Sequence, residues 1–396
     1  MKESPRLLRR LRLLATTEPV SLRVRPRLTK NLGTKQSNHL NELNKLNKPN
    51  ELNKLDVLTN ATPVSRLLNS PEKAMPKRVS VILVNYDGMP HLDACISSVL
   101  KQSYTDFEVI LVDNNSSDGS LEYARSKFPH LTFVTNNENL GYAGGINSGL
   151  AHAGGEYVAP LNVDTEVAPD WLGAMVTFLD EHPQAGAVTP KVLLFGDRTK
   201  INALGLNIHI AGLGFCRGLG KKDDNSIIAE NVPGVSGCSY LVRHQLLEQM
   251  GGAPGWCFMG NDDVIVSWLL RLMGYELYCL PESVVFHKYS LKMNPEKLYR
   301  LEKNRHILLL STLKPLTLLV CLPVFLAIDF MIITYGLVKG RSYVRAKFAA
   351  LASLWRERSD IRQRRGRYQL LREVSDLALF RRLNWNLAWA QLWGIR

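Results

Sequence analysis

The sequence has no closely paired cysteines, no apolar leader and no standard glycine motif for binding nucleotide phosphates. Each absence removes a class of function. The 6 cysteines (Cys95, Cys216, Cys238, Cys257, Cys279 and Cys321) are far apart and form no Cys-x-x-Cys pair, so neither a zinc ribbon nor a thioredoxin-like redox site is indicated. The chain opens with Met1 to Pro5 and passes into mixed arginine and leucine. It lacks the apolar core of roughly 7–15 residues that marks a secretory leader, so the catalytic part is expected in the cytoplasm. Its glycine-rich block, 139–149, is neither Gly-x-Gly-x-x-Gly nor a P-loop, which argues against a dinucleotide oxidoreductase and an NTPase. Acidic residues are in short supply, with 36 against 49 basic ones and a formal net charge of +13. That excess lies mostly in the two ends. A nucleic-acid groove would place it within the folded domain, so an anionic membrane surface or a phosphate-bearing substrate is the expected partner, and nucleic acid is not.

Residues 1–76 read as a disordered, basic, low-complexity extension. Pro5 to Leu14 alternates arginine and leucine, as a short amphipathic helix on an anionic surface or a solvated tail would. From Asn38 to Leu55 the chain repeats Asn-Glu-Leu-Asn-Lys-Leu units, with too few large apolar groups to order a core.

The folded domain opens at Arg78. Val79 to Tyr86 is a β-branched run ending in polar residues, as a buried parallel strand does. Helical spacing follows at His91–Gln102, a second strand at Phe107–Asp113, a helix at Ser120–Lys127 and a third strand at Leu131–Val134. The block 139–149 opens a helix, and Tyr157–Asp164 is a fourth strand. Loops and short strands are expected over 199–232, helices at Leu241–Met250 and Asp263–Met273, and a last strand at Glu276–Phe286. This alternation predicts an α/β fold built on βαβ units with a mainly parallel central sheet. Ligands in such sheets sit beyond the carboxyl ends of the strands, where Asn85, Tyr86 and Asp113 fall.

Residues 316–338 form the one long apolar stretch, about the length that crosses ~30 Å of hydrocarbon. Pro323 lies near its start and Asp329 inside it, and both flanks are basic. A single crossing leaves one basic flank on the wrong side and buries an acid in lipid. A bent, re-entrant or in-plane hairpin returning to the cytoplasmic face avoids both costs, and a buried core helix is the alternative. The arginine-rich tail after Arg356 could then lie on anionic lipid. Residues 311–396 are thus expected to be a helical, membrane-associated region.

Four features carry chemistry. Asn162-Val163-Asp164 ends a strand and offers hard oxygens to Mg²⁺ or Mn²⁺, although an aspartate there also serves as a turn former. His287, after the last strand, is a possible second ligand or a structural histidine. Asp262-Asp263 opens a helix, where one acid can cap and the other can act as a base. The stretch Asn139 to Gly149, with Gly144 and Asn147, allows close backbone approach to a nucleotide at a helix start, or is simply a glycine-rich turn.

Taken in order, the segments 81–86 (Val-Ile-Leu-Val-Asn-Tyr), 112–120 (Val-Asp-Asn-Asn-Ser-Ser-Asp-Gly-Ser), 139–149, 161–167 (Leu-Asn-Val-Asp-Thr-Glu-Val), 261–264 (Asn-Asp-Asp-Val) and 286–290 (Phe-His-Lys-Tyr-Ser) resemble family 2 glycosyltransferases. The likeness is to the rhamnosyltransferase and galactofuranosyltransferase branch, and it covers residues 78 to 310. It implies a GT-A catalytic domain over 77–310 that transfers sugar with inversion from a nucleotide-sugar donor to a glycan or lipid-linked acceptor, in cell-envelope polysaccharide synthesis at the cytoplasmic face of the membrane. It also implies roles for individual residues. Asn85 and Asp113 would hold the base and ribose, with Gly144 and Asn147 also on the donor side. Asn162 and Asp164 stand at the ends of a DxD-like motif, with Asp164 and His287 on Mg²⁺ or Mn²⁺. Asp262 would be the catalytic base, with Asp263 and Trp256 toward the acceptor. Two departures stand out: Asn162 replaces the usual first aspartate, and Ile265 stands where many relatives carry another acid. A polyprenyl-phosphate sugar synthase of the same fold is an alternative, and a non-catalytic basic membrane scaffold a more distant one.

Overall fold

The computed structural model describes residues 77–225, 228–289 and 293–393. The extension 1–76, with its expected disorder and amphipathic segment, lies outside the described residues. Residue contacts divide the chain into 1–75 and 76–396.

The first half follows the expected alternation closely. Strands β1 (Val79–Asn85) and β2 (Phe107–Asp113) pair in parallel, β3 (Thr132–Thr135) adds beyond β2, and β4 (Tyr157–Asn162) returns to the other side of β1. All of β1 is buried, as a strand covered on both faces must be. Its alternate side chains feed two cores: Val81 and Leu83 pack on one face of the sheet, Ile82 and Val84 on the other. The return from β3 to β4 reverses strand order between β1 and β4. That is where an open α/β sheet splays its loops apart and admits a ligand.

Beyond β4 the described residues form eight more strands, of which the last, β12, and the short strands within 199–232 are expected from the sequence. They are β5 (Thr165–Val167), β6 (Ala185–Leu194), β7 (Asp197–Ala203), β8 (Leu206–Ile208), β9 (Gly214–Cys216), β10 (Glu230–Asn231), β11 (Leu241–Arg243) and β12 (Glu276–His287). The path runs β10-β12-β6-β11-β4-β1-β2-β3, with β5 on β12, β7 on β6, and β8-β9 as a separate hairpin. Strand β11 is antiparallel to both β4 and β6, and β6 is parallel to β12. Strands β1, β2, β3, β4, β6 and β12 therefore all point one way, with β7 antiparallel beside β6, and the sheet is mainly parallel. Expected helix Leu241–Met250 is in fact strand over Leu241–Arg243 and helix only from His244. Leu241 and Val242 fill the slot between β4 and β6, a tertiary demand that overrides helical spacing.

The apolar stretch 316–338 is divided. One short helix spans Pro315–Val320 and a second Leu322–Lys339. The longer one buries only Phe325, Ile328, Ile332 and Gly336, a stripe at three- and four-residue spacing, so it is not a core helix. Its Asp329 meets Arg305, His306 and Lys347. Arg305 and Lys347 also hold Glu302. The acid therefore faces the domain and is paired there. Leu326, Phe330, Leu337 and Val338 stay exposed on the same helix.

Candidate active site

At the carboxyl ends of β1 and β4 lies a cleft of about 540 Å³, within the size range of small-ligand sites. Asn162, Asp164, Asp262, Asp263 and His287, distant in sequence, all line it.

Asp164 sits in the tight turn between β4 and β5, which Thr165 closes by donating its hydroxyl to the Asn162 carbonyl at 2.6 Å. β5 pairs with the end of β12, placing Thr165 opposite His287. The Asp164 Oδ1 to His287 Nε2 distance is 3.4 Å. Nδ1 of His287 is 2.8 Å from Asn202 Oδ1, an oxygen that can only accept, so the ring proton sits on Nδ1. That leaves the Nε2 lone pair facing a carboxylate oxygen, an arrangement that requires a cation or a proton between them. A divalent ion fits: two ligand atoms each about 2.1 Å from a metal at a tetrahedral to octahedral angle stand roughly 3.0–3.4 Å apart. Burial works to raise the Asp164 carboxyl, but with a proton on Nε2 the hydrogen bond and charge of His287, together with the Asp164 backbone N–H and His91, more than offset it. The group is held below the usual range.

Asp262 and Asp263 begin the helix Asp262–Leu272 on another part of the cleft lining. Both carboxyls are raised, chiefly by burial, and Asp262 also by the charge of Asp263. They differ in their partners. Asp263 accepts from the Gly237 N–H at 3.0 Å and the Val264 N–H at 2.8 Å, so its oxygens are occupied in fixing the helix start. Among the described residues no side chain bonds Asp262, whose carboxyl meets only the backbone N–H groups of its own residue and Gly260. It is therefore the acid better placed to take a proton from a molecule in the cleft. Just before it, Phe258 (φ 60°) and Asn261 (φ 65°) adopt left-handed backbone. Phe258 is the centre of a tight turn closed by the Met259 N–H on the Cys257 carbonyl at 2.7 Å, a strained three-residue form that is rare outside functional loops.

Of the other expected residues, Tyr86, Asn139 and Gly141 line the cleft, whereas Asn85, Asp113, Gly144 and Asn147 lie behind its lining. Asn85 and Asp113 are buried and bonded to each other at 2.9 Å. Ser116 donates to both Asp113 oxygens, through its hydroxyl and its N–H, so the pair fixes the loop after β2. Asn147 grips the 251–258 loop, donating to the Ala253 carbonyl at 2.9 Å and accepting its N–H at 2.7 Å. Gly144 packs beside Leu140 on the same helix. In the same block Gly141 (φ +73°) is irreplaceable, since a Cβ there would lie 2.0 Å from the Phe258 carbonyl oxygen. The glycine-rich segment therefore seats the loop leading to Asp262. Trp256 lines a separate pocket on the far side of that loop.

Sequence reasoning did not find Asn202, which orients His287, nor His91 and Tyr142 in the cleft lining. Asn202 stands on β7, in a region without clear periodicity, and nothing local marks it. A second cluster, Glu302, His306 and Asp329, brings three metal-type ligands together. Arg305 and Lys347 already occupy those carboxylates, so it is an ion-pair network and not a metal site.

Residues 80–251 match the model for glycosyl transferase family 2. Over those residues the chain is similar to family 2 glycosyltransferases. A curated relative, the poly-beta-1,6-N-acetyl-D-glucosamine synthase of Staphylococcus epidermidis, is 29% identical over 223 residues, which is 55% of this chain and 52% of that protein. The chain thus spans about half the length of that relative. An uncharacterized glycosyltransferase of Haemophilus influenzae is 31% identical over 113 residues, 28% of this chain and 35% of its own. Among solved structures, GalNAc-T7 with UDP, GalNAc and Mn²⁺ superposes with a TM-score of 0.51 at 17% identity, over 62% of this chain and 49% of that one. This is a likeness of fold, and the sheet described above has the GT-A arrangement. Asp262, Asp263 and His287 lie past the matched residues, so their place in the site rests on geometry.

Proposed function

We propose that this domain is a family 2 glycosyltransferase that moves a glycosyl group, with inversion, from a nucleotide-sugar to a hydroxyl of a glycan or lipid-linked acceptor in cell-envelope polysaccharide synthesis. The observation that carries the reading is the shared cleft. It sets a metal-competent pair, Asp164 and His287, and a raised carboxyl without a side-chain partner among the described residues, Asp262, around one space.

The chemistry needs two charges managed at once. The acceptor oxygen bonds the anomeric carbon as the bond from that carbon to the diphosphate breaks. The electron pair leaves with the nucleoside diphosphate, and the acceptor proton passes to the Asp262 carboxylate. Asp164 and His287 would hold Mg²⁺ or Mn²⁺, which when bound neutralises the diphosphate's charge. Asn202 keeps His287 in the tautomer able to ligate. Asp263 holds the base-bearing helix in place through Gly237 and Val264. A phosphate acceptor needs no base, so Asp262, which no described side chain bonds, favours a hydroxyl acceptor over a polyprenyl phosphate.

The same reading extends to a rhamnose- or galactofuranose-like donor and to residence at the cytoplasmic face of a membrane. The membrane reading is supported by the exposed apolar side of Leu322–Lys339, whose one acid is turned inward and paired. A helix lying in the interface with its outer face in lipid satisfies both facts. The test is a donor panel of UDP-, dTDP- and GDP-sugars, N-acetylhexosamines included, with Mg²⁺ or Mn²⁺, scored by nucleoside diphosphate release. Release with at least one donor, abolished by chelator and restored by metal, is expected. No release with any donor and a membrane acceptor fraction contradicts the reading.

A further inference from the structure

Behind the loop that leads to Asp262 lies a second, smaller pocket of about 140 Å³ that the transfer chemistry does not use. It is closed by the helix Arg358–Leu370. The arginines of that helix fall into two groups. Arg365 is fully explained by structure, because it donates to the Leu310 and Leu313 carbonyls at 2.8 and 2.7 Å and finishes the end of the helix Pro295–Thr312. Arg364 and Arg367 instead line the pocket. Nη1 of Arg364 is buried and has no hydrogen-bond partner. Its guanidinium carbon lies 4.8 Å from the centroid of the Trp256 ring, which offsets part of its charge but accepts no hydrogen bond from Nη1. The guanidinium of Arg367 lies flat against the loop, where a Cβ on Gly251 would come within 1.6 Å of it. Gly251 also needs its positive φ of 82°, so no other residue suits both demands. The Trp256 indole is fixed in turn by donating to the Tyr368 hydroxyl at 3.3 Å.

Two guanidinium groups therefore converge on a pocket with no acidic residue in its lining, and one of them carries an orphaned buried donor. A buried donor without an acceptor is costly, and planar forked donors match the oxygens of a phosphate. We propose that Arg364 and Arg367, with Trp256 and Tyr368, form a binding site for a phosphate or diphosphate oxyanion. Such a ligand docks the C-terminal helix onto the loop 251–258. Because Asn147 clamps Ala253 and Phe258 lines the cleft, an occupied pocket steadies from behind the segment that leads to the base. The oxyanion comes either from a lipid headgroup or from a soluble phosphate compound. The inference holds whether or not the cleft transfers sugar.

The test uses the full chain with chelator present, so that the metal-dependent donor cleft is disabled, at constant ionic strength. Pyrophosphate is titrated and thermal stabilisation is recorded. Saturable stabilisation is expected in the wild type and in Arg362→Gln, an exposed arginine on the same helix. In the Arg364→Gln/Arg367→Gln double variant the apparent Kd should weaken at least about tenfold. Unchanged affinity in the double variant, or no saturable response in the wild type, overturns the site. Should the double variant not fold, Arg367→Lys keeps the charge but loses the fork and should weaken binding about threefold or more. An unaltered Kd there is equally fatal. Sedimentation with phosphatidylcholine vesicles, with and without phosphatidic acid, separates the two sources. An anionic-lipid increment lost in the variant assigns the ligand to a headgroup, and an increment retained assigns it to a soluble phosphate.

Discussion

Asp164 and Asp262 are the same residue type lining the same cleft, and their surroundings drive them in opposite directions. Asp164 lies between two strands beside an imidazole and is held ionised. Asp262 starts a helix beside another acid, with no cation bonded to it, and burial pushes it up to about 7. A carboxylate kept charged suits a cation and the diphosphate it binds. One poised near neutrality suits proton transfer. The difference teaches that role follows from neighbours and not from residue identity, and it can be broken from either side.

The largest effect is expected on the Asp164 side. Asp164→Ala should lower turnover about 10³-fold or more and also abolish metal-dependent donor binding, seen by calorimetry with Mn²⁺. Donor binding left intact would separate Asp164 from the metal. Next comes the residue that orients His287. Asn202→Ala should weaken Mn²⁺ affinity about 10–100-fold, measured by metal titration of activity, with turnover at saturating Mn²⁺ recovering most of the wild-type value. The smallest effect is on stability and concerns Asp262. A carboxyl raised in the folded state keeps its proton between pH 4 and 7 while the unfolded chain has lost it, so folding loses stability as pH rises through that window. Asp262→Asn removes the penalty. It should unfold later than wild type at pH 8, by on the order of 1–2 kcal/mol given the partial exposure of the group, and should differ little at pH 4. Chemical denaturation at the two pH values measures this.

How much of the fold was legible in the sequence varies along the chain for a physical reason. Strands β1 and β2 are largely β-branched runs because both of their faces are covered, and such runs are readable without a partner. β4 instead carries Pro160 and is readable from its place in the strand–helix alternation and its polar end. β6 is equally buried but contains Pro190, which argues against an interior strand. The sheet tolerates it because the ladder to β12 is broken by a bulge between Leu280 and Val284 at that point. β11 is three residues long and owes its strand conformation to its neighbours. In the candidate site, Asp164, Asp262 and His287 could be singled out because each stands at an element end in a recurring order of segments. Asn202 could not, since its value lies wholly in a hydrogen bond to a residue distant in the chain. Asn147 and the glycines of 139–149 were read toward the nucleotide; Asn139 and Gly141 do line the cleft, and Gly141 and Asn147 also seat the loop before Asp262. A glycine-rich pattern announces close approach but not what approaches.

The account turns on Asp262 acting on the acceptor proton and not on the donor. The direct measurement is the Asp262→Asn variant at pH 8, with donor affinity in Mn²⁺ determined by calorimetry and turnover by nucleoside diphosphate release. Donor affinity within about threefold of wild type, with turnover reduced by about 10²–10⁴-fold, is the predicted result. Turnover that survives the substitution would contradict it.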